Sequence, residues 1–300
     1  MNKEYREKFF DQGFISNIRI FDKEYINNVY DDYMYFINKN KSRQKTVEAK
    51  TKSHLFFPWA NKIIFEKKIL DYVETIIGKN IVCWNSLIFH KKPETKNFVS
   101  MHQDQNYWNI QMDKGLTVSL AITDSNIENG CLKILPYSHK KKYEHVDLDD
   151  KSNMLARGQT IKINHEEMEK QIKNIELEKG ECCMFHGNIA HGSLKNSSLN
   201  HRILFAMRFL TPDNEVDTSL YYNYATLVRG NNNQGKFIDE PSLRNTSIDD
   251  LKKLHSEIVI SQFAKYLKLK IKINFLVNIS MFFLKINFLR NILYKFLKKS

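Results

Sequence analysis

Cysteine is scarce: Cys83, Cys131, Cys182 and Cys183 are the only four in 300 residues, too few for a disulfide framework. None forms a CxxC pair, which argues against a thiolate metal site, and the four read as buried free thiols in a reducing compartment. Ten glycines and five prolines are too few for low-complexity sequence. No uncharged apolar run reaches the ~20 residues that a membrane-spanning helix needs. The longest, Ile273–Leu284, contains Asn274, Asn278 and Ser280. Residues 1–30 lack the apolar core of a secretion signal, so the expected location is cytoplasmic.

Acidic residues are missing from the end of the chain. From Ile258 to Ser300 there are nine Lys/Arg and no Asp or Glu, so this segment carries +9 of the +12 formal charge. Residues 1–257 carry the remaining +3. A body so nearly balanced has no electrostatic footprint for nucleic acid. In the tail, Phe275, Ile279, Phe282, Ile286, Leu289, Leu293 and Phe296 alternate spacings of four and three, which is one stripe of a helix. A basic amphipathic helix over 265–300 has two readings: contact with an anionic membrane surface, or packing on the body or a second copy of the chain.

What is present supports a large core. Apolar residues make up 42% and aromatics 12% of the chain, and a chain this long buries roughly 75% of the surface its unfolded form exposes. Residues 3–40 read as helical, from the spacing of Phe9, Phe10, Phe14, Tyr25, Val29, Tyr33, Phe36 and Ile37, with Asp22 as an N-cap. Lys39–Lys52 reads as a polar loop, and Lys62–Gly78 as an amphipathic helix stopped by Gly78. Then Ile81–His90, Thr117–Thr123, Gly130–Leu135, Cys182–His186 and Arg202–Leu210 read as short strands of a sandwich or barrel. Lys141–Glu178 reads as a long loop or insertion, and Asn245–Ser300 as helical. The expected organisation is a catalytic body over 1–250, with a helical part over 1–78 and a strand core over about 80–215, and a basic helical tail over 251–300.

Val99–Met101 leads into His102-Gln103-Asp104 and reads as extended. Residues i and i+2 of a strand share a face, so His102 and Asp104 would project together, with Gln103 turned away. His191 follows 89 residues after His102, in a His-Gly-Ser run. Two imidazoles and one carboxylate on one face of Fe(II) leave positions open for a keto-acid and dioxygen. The same donors on zinc would serve hydrolysis.

Arg202 separates these readings. It starts a strand-like run in which Leu204, Ala206 and Arg208 share its face. An inward guanidinium is costly unless it meets an anion, and its fork suits the distal carboxylate of 2-oxoglutarate. Ser193 would share the face of His191 and could bond the same carboxylate. A structural ion pair with an acidic residue is the alternative for Arg202. Asn85, on the first strand, is a candidate to face the cosubstrate, and Tyr107 and Trp108 to line a substrate pocket.

Together these stretches resemble the phytanoyl-CoA dioxygenase family over roughly 81–241. The resemblance rests on His102-Gln103-Asp104 with Tyr107-Trp108, on Glu128-Asn129-Gly130-Cys131-Leu132 and on Ile134-Leu135-Pro136-Tyr137-Ser138-His139. It continues through Gly180-Glu181 with Phe185, His191-Gly192-Ser193, Asn196 and Arg202, and Thr226-Leu227-Val228-Arg229-Gly230 resembles a segment of some members. Tyr137 stands where the family usually has Gly, and Glu181 where it has Asp. The resemblance implies a mainly β fold with flanking helices around a double-stranded β-helix (jelly-roll, cupin-like) core. It implies Fe(II) on His102, Asp104 and His191, 2-oxoglutarate and O2 as cosubstrates, and oxidation of a small molecule. Halogenating relatives lack the carboxylate ligand, so Asp104 implies hydroxylation.

Two rival classes are a nucleic-acid demethylase of the same fold and a non-catalytic binding module. The Arg202-x5-Arg208 spacing matches the first; the 89-residue metal spacing, the Glu128–His139 stretch and the near-neutral body count against it. The second leaves a full set of active-site residues without a use.

Overall fold

The computed structural model describes residues 3–40, 49–105, 114–155, 158–215, 223–233 and 235–258. Tyr107, Trp108 and the stripe from Phe275 to Phe296 lie outside them. Among the described residues no helix is long and apolar enough to cross a membrane.

The chain opens with a helix over Lys3–Gln12, closed by Gly13 at φ +88°. Here the expectation of helices alone over 3–40, the second capped by Asp22, fails in one stretch. Phe14–Arg19 is strand β1, and the helix resumes only over Lys23–Lys39. Phe9, Phe10 and Phe14 have helical spacing, but the left-handed turn at Gly13 separates them and puts Phe14 and Ile15 on opposite faces of a sheet. Asp22 caps the second helix, its carboxylate accepting from the Tyr25 N–H at 2.7 Å. The helix expected over Lys62–Gly78 is two, Pro58–Ile64 and Lys67–Ile77. Glu66 divides them by capping the second, its side chain accepting from the Lys68 N–H at 3.0 Å.

Two sheets form the core. The larger contains β1, β9 (Glu181–His186), β4 (Gly115–Ala121), β11 (Arg202–Leu210), β2 (Ile81–Lys91), β12 (Tyr224–Arg229) and β13 (Ile238–Asp239), in that order. All its pairings are antiparallel except β12 with β13. The smaller runs β3 (Val99–His102), β10 (Ala190–Ser193), β5 (Leu132–Leu135), β8 (Lys173–Ile175). Every residue of β11 is buried, because both faces of the larger sheet are covered. Its outer face sets Leu116, Val118, Phe205, Met207 and Phe209 against Ile26, Val29, Ile63, Ile69 and Val73 of the helices. Its inner face sets Ala121, Cys183, Phe185 and Leu204 against Leu132 and Ile134 of the smaller sheet. Fully burying one such Leu or Phe contributes about 1.5–3 kcal/mol. This is the expected jelly-roll with helices flanking one sheet.

Lys141–Glu178 is more ordered than a loop. It holds a hairpin of β6 (His145–Asp147) and β7 (Gln159–Ile161), a helix over His165–Gln171 capped by Asn164, and β8. All four cysteines are buried and free, as expected.

A polar knot pins the C-terminal part to the outer face of β2. Glu240 is buried and paired with Lys52, and its other oxygen is 3.3 Å from His54 Nε2. Thr226 donates to the same oxygen at 3.0 Å, and His54 Nδ1 is 2.7 Å from Ser86 Oγ. A helix over 248–258 then rests Leu251 and Ile258 on Leu55.

Candidate active site

The three residues that the sequence singled out as ligands converge. His102 ends β3, Asp104 follows two residues later, and His191 lies on β10, where it is the register partner of His102. Asp104 Oδ1 is 3.2 Å from His102 Nε2 and 4.0 Å from His191 Nε2. One donor atom from each lies within 4.8 Å of the others. All three are buried.

The local backbone prepares both imidazoles for a metal. His102 Nδ1 is 2.9 Å from Ser100 O, and His191 Nδ1 is 3.0 Å from Ile189 O. A carbonyl only accepts, so each Nδ1 carries a proton, and Nε2 is the ring atom that faces Asp104 and could ligate a metal. Burial, then the neighbouring His102, lowers the His191 pKa to about 4, which keeps that ring neutral and able to ligate. Burial works to raise the Asp104 carboxyl, but Arg208 and the two imidazoles outweigh it and leave the pKa at about 2. Two imidazoles and an ionised carboxylate are a donor set that fits Fe(II).

Gln103 does turn away from the ligands, but into protein rather than solvent. Its Nε2 lies 2.6 Å from Asn188 O, 2.7 Å from Lys141 O and 3.3 Å from Ser138 O, and its Oε1 accepts from the Tyr143 N–H at 3.0 Å. Ser138 Oγ in turn accepts from the Ala190 N–H at 2.8 Å, next to His191. Gly192 lets β10 approach β3, since a Cβ there would lie 2.7 Å from Val99 O.

A second cluster gathers around Ser193, two residues past His191 on β10. Arg202 Nη2 donates to Gly130 O at 2.8 Å and sits 3.4 Å from Ser193 Oγ. Its register partner across β2 is Lys91, a residue that the sequence reading missed. Lys91 Nζ donates to Ser193 Oγ at 2.7 Å and to Leu194 O, with Gly130 O at 3.5 Å. Lys91 and Arg202 are buried, and among the described residues neither pairs with a carboxylate. Burial and the nearby Arg202 push the Lys91 ammonium down to about 6, and burial lowers Arg202 to about 10. A buried guanidinium and a buried amine thus face one hydroxyl with no carboxylate partner among the described residues, an arrangement whose charge an anion would balance. The available signal was phase: Lys91 sits on the Asn85, Leu87, Phe89 face of β2.

Asn85 lies elsewhere. Its register partner is Arg208, six residues along β11 from Arg202, so it flanks the metal cluster rather than the cation pair. Arg208 Nη2 is 3.6 Å from Asp104 Oδ2. Asn196 holds the turn before Arg202, donating to Asn200 O at 2.7 Å and Lys92 O at 3.0 Å. Tyr137 adopts a left-handed backbone at φ 65°, the conformation that accounts for the family's usual glycine there.

The phytanoyl-CoA dioxygenase (PhyH) family profile matches residues 21–204. The chain belongs to the phytanoyl-CoA dioxygenase family. Within it, the chain is 28% identical over 153 residues to the human peroxisomal phytanoyl-CoA dioxygenase, covering 49% of this chain and 44% of that protein. It is 25% identical over 166 residues to a probable alpha-ketoglutarate-dependent hypophosphite dioxygenase of Stutzerimonas stutzeri, covering 50% of this chain and 58% of that one. The chain thus spans about half the length of these family relatives. Among solved structures, the apo form of the non-haem monooxygenase ThoJ superposes with a TM-score of 0.73 at 22% identity, covering 88% of this chain and 99% of that chain. CytC3 with Fe(II) and alpha-ketoglutarate superposes with a TM-score of 0.58 at 21% identity, covering 83% and 96%. These likenesses establish the shared fold.

Proposed function

We propose that this protein is a Fe(II)- and 2-oxoglutarate-dependent dioxygenase that hydroxylates a small molecule and releases succinate and CO2. The observation that carries the reading is on β10. His191 joins the metal cluster, and Ser193, two residues later, joins the Lys91–Arg202 pair. Two residues of strand span ~6.6 Å, which suits a five-carbon dicarboxylate held by a metal at one end and cations at the other.

In this reading His102, Asp104 and His191 hold the iron. Arg202, Lys91 and Ser193 bind the distal carboxylate of 2-oxoglutarate, the guanidinium and ammonium neutralising it and the hydroxyl fixing its orientation. Asn85, beside Arg208, lines the pocket on the metal's other flank. When bound, iron and 2-oxoglutarate supply the oxidising chemistry: one oxygen atom of O2 enters succinate and the other enters a substrate C–H bond. The protein contributes ligand geometry, cosubstrate orientation and a buried site that excludes water. Asp104 occupies the carboxylate position, which supports hydroxylation over halogenation. The relatives' names refer to phytanoyl-CoA and hypophosphite, which supports a small-molecule substrate over nucleic acid.

The test is anaerobic addition of Fe(II) and 2-oxoglutarate. A weak visible charge-transfer band is expected, absent in His102→Ala, with succinate formed once O2 is admitted. A wild type with neither band nor succinate ends the proposal. We also propose that the basic stripe over 265–300 serves an anionic membrane surface, the alternative being that it packs on the body or on a second copy of the chain. Comparing the full chain with one lacking 265–300, by vesicle sedimentation and by molar mass, separates the two.

A further inference from the structure

We propose that Arg208 is a positioning residue that restricts Asp104 to one-oxygen coordination, and so keeps a metal position free for cosubstrate or O2. The inference rests on the metal reading above and deepens it.

The two oxygens of Asp104 are directed differently. Oδ1 faces the imidazoles, 3.2 Å from His102 Nε2 and 4.0 Å from His191 Nε2. Oδ2 faces the opposite sheet, 3.6 Å from Arg208 Nη2. Both side chains are buried, at 3% and 4% exposure, so water screens this charge pair little. Asp104 lies two residues past the end of β3, between Gln103, whose N–H meets His145 Nε2, and Gln105, whose N–H donates to Gly187 O. Arg208, by contrast, sits in the middle of a paired strand, with Asn85 and Thr117 as register partners on either side. A group anchored in the larger sheet thus reaches across to the end of the smaller one.

The chemistry makes this direction matter. A carboxylate can bind a metal through one oxygen or two. A facial triad needs one from each ligand, because the cosubstrate and O2 occupy the rest. With Oδ2 facing a guanidinium at ion-pair distance, Oδ1 is the oxygen turned toward the imidazoles. Arg208 touches no reacting atom; it acts through Asp104.

The test counts waters on bound Mn(II), an octahedral probe ion, by 17O-water pulsed electron–nuclear resonance. Three single-oxygen or single-nitrogen protein ligands leave three waters in the wild type. Arg208→Met should free Oδ2 and lose one water; Arg208→Lys, which keeps the charge, should count as the wild type. Three waters in Arg208→Met would overturn the proposal. If Arg208→Met does not fold, the wild type decides: three waters support the proposal and two refute it. Failure of the wild type to bind Mn(II) would remove the metal site and this role with it. A wrong count in a wild type that does bind removes only the role of Arg208.

Discussion

His102 and His191 are register partners on adjacent antiparallel strands, with ring centroids 4.2 Å apart. Each ring is held by the carbonyl two residues before it in its own chain segment. The pair is therefore fixed by the β3–β10 ladder, and anything that parts the strands parts the ligands. Gly192→Ala tests this without altering a ligand. Its Cβ would fall 2.7 Å from Val99 O and 3.1 Å from Met101 N, so β3 must move. Fe(II) or Co(II) affinity is expected to fall at least about tenfold, about 1.4 kcal/mol; an unchanged Co(II) titration would refute the ladder argument.

Arg202→Ala should separate cosubstrate binding from metal binding. Removing one partner of a buried charge contact costs about 2–5 kcal/mol, so 2-oxoglutarate should bind about a hundredfold more weakly. Metal affinity should hold, because Arg202 contacts none of the three ligands. Titrating the charge-transfer band with 2-oxoglutarate reads the first quantity, and Mn(II) binding without cosubstrate reads the second.

Lys91 should make cosubstrate binding depend on pH. Its folded pKa of about 6 lies below the ordinary 10.5. Between those values the unfolded chain holds more protons than the folded one, so the Lys91 contribution to stability rises with pH across that window. An anion in the pocket favours the charged ammonium, so 2-oxoglutarate binding above about pH 6 takes up a proton and weakens as pH rises. Calorimetry at pH 8 in two buffers of different ionisation heat should show this uptake in the wild type and none in Lys91→Met. No uptake in the wild type would contradict it.

Tyr137→Gly should stabilise the protein. Tyr137 is 52% exposed and sits at φ 65°, so it loses little packing and gains relief from a left-handed strain. The expected gain is about 0.5–1 kcal/mol, or roughly 1–3 °C in Tm. A lower Tm would show that the Lys140 contact with the Tyr137 ring outweighs the strain.

The metal cluster was legible from its residue types and spacing, although Asp104 lies in a turn past the end of β3 rather than on an extended run, and β11 was legible from its apolar length. A strand's period of two placed Gln103 opposite the ligands, but the covering segment around Ser138–Tyr143 comes from distant sequence, so its buried role did not show. Lys91 was passed over because a charged residue at a strand's end ordinarily marks the surface. Strand β1 was lost to a helical spacing that crosses Gly13, where one left-handed residue resets the periodicity. The Arg202–Arg208 spacing was visible, but the contact of Arg208 with Asp104 depends on how two sheets stack.

The Glu240 knot has a consequence for how the chain is made. Lys52 and Glu240 are 188 positions apart, and His54 and Glu240 are 186 apart. On a ribosome, the helices and both sheets up to β11 emerge while Lys52 and His54 still wait for their counter-charge. Chains generally fold from the N-terminus during synthesis, so the outer face of β2 is sealed only near the end. Until Glu240 arrives, Lys52 lacks the buried carboxylate that it meets in the finished fold.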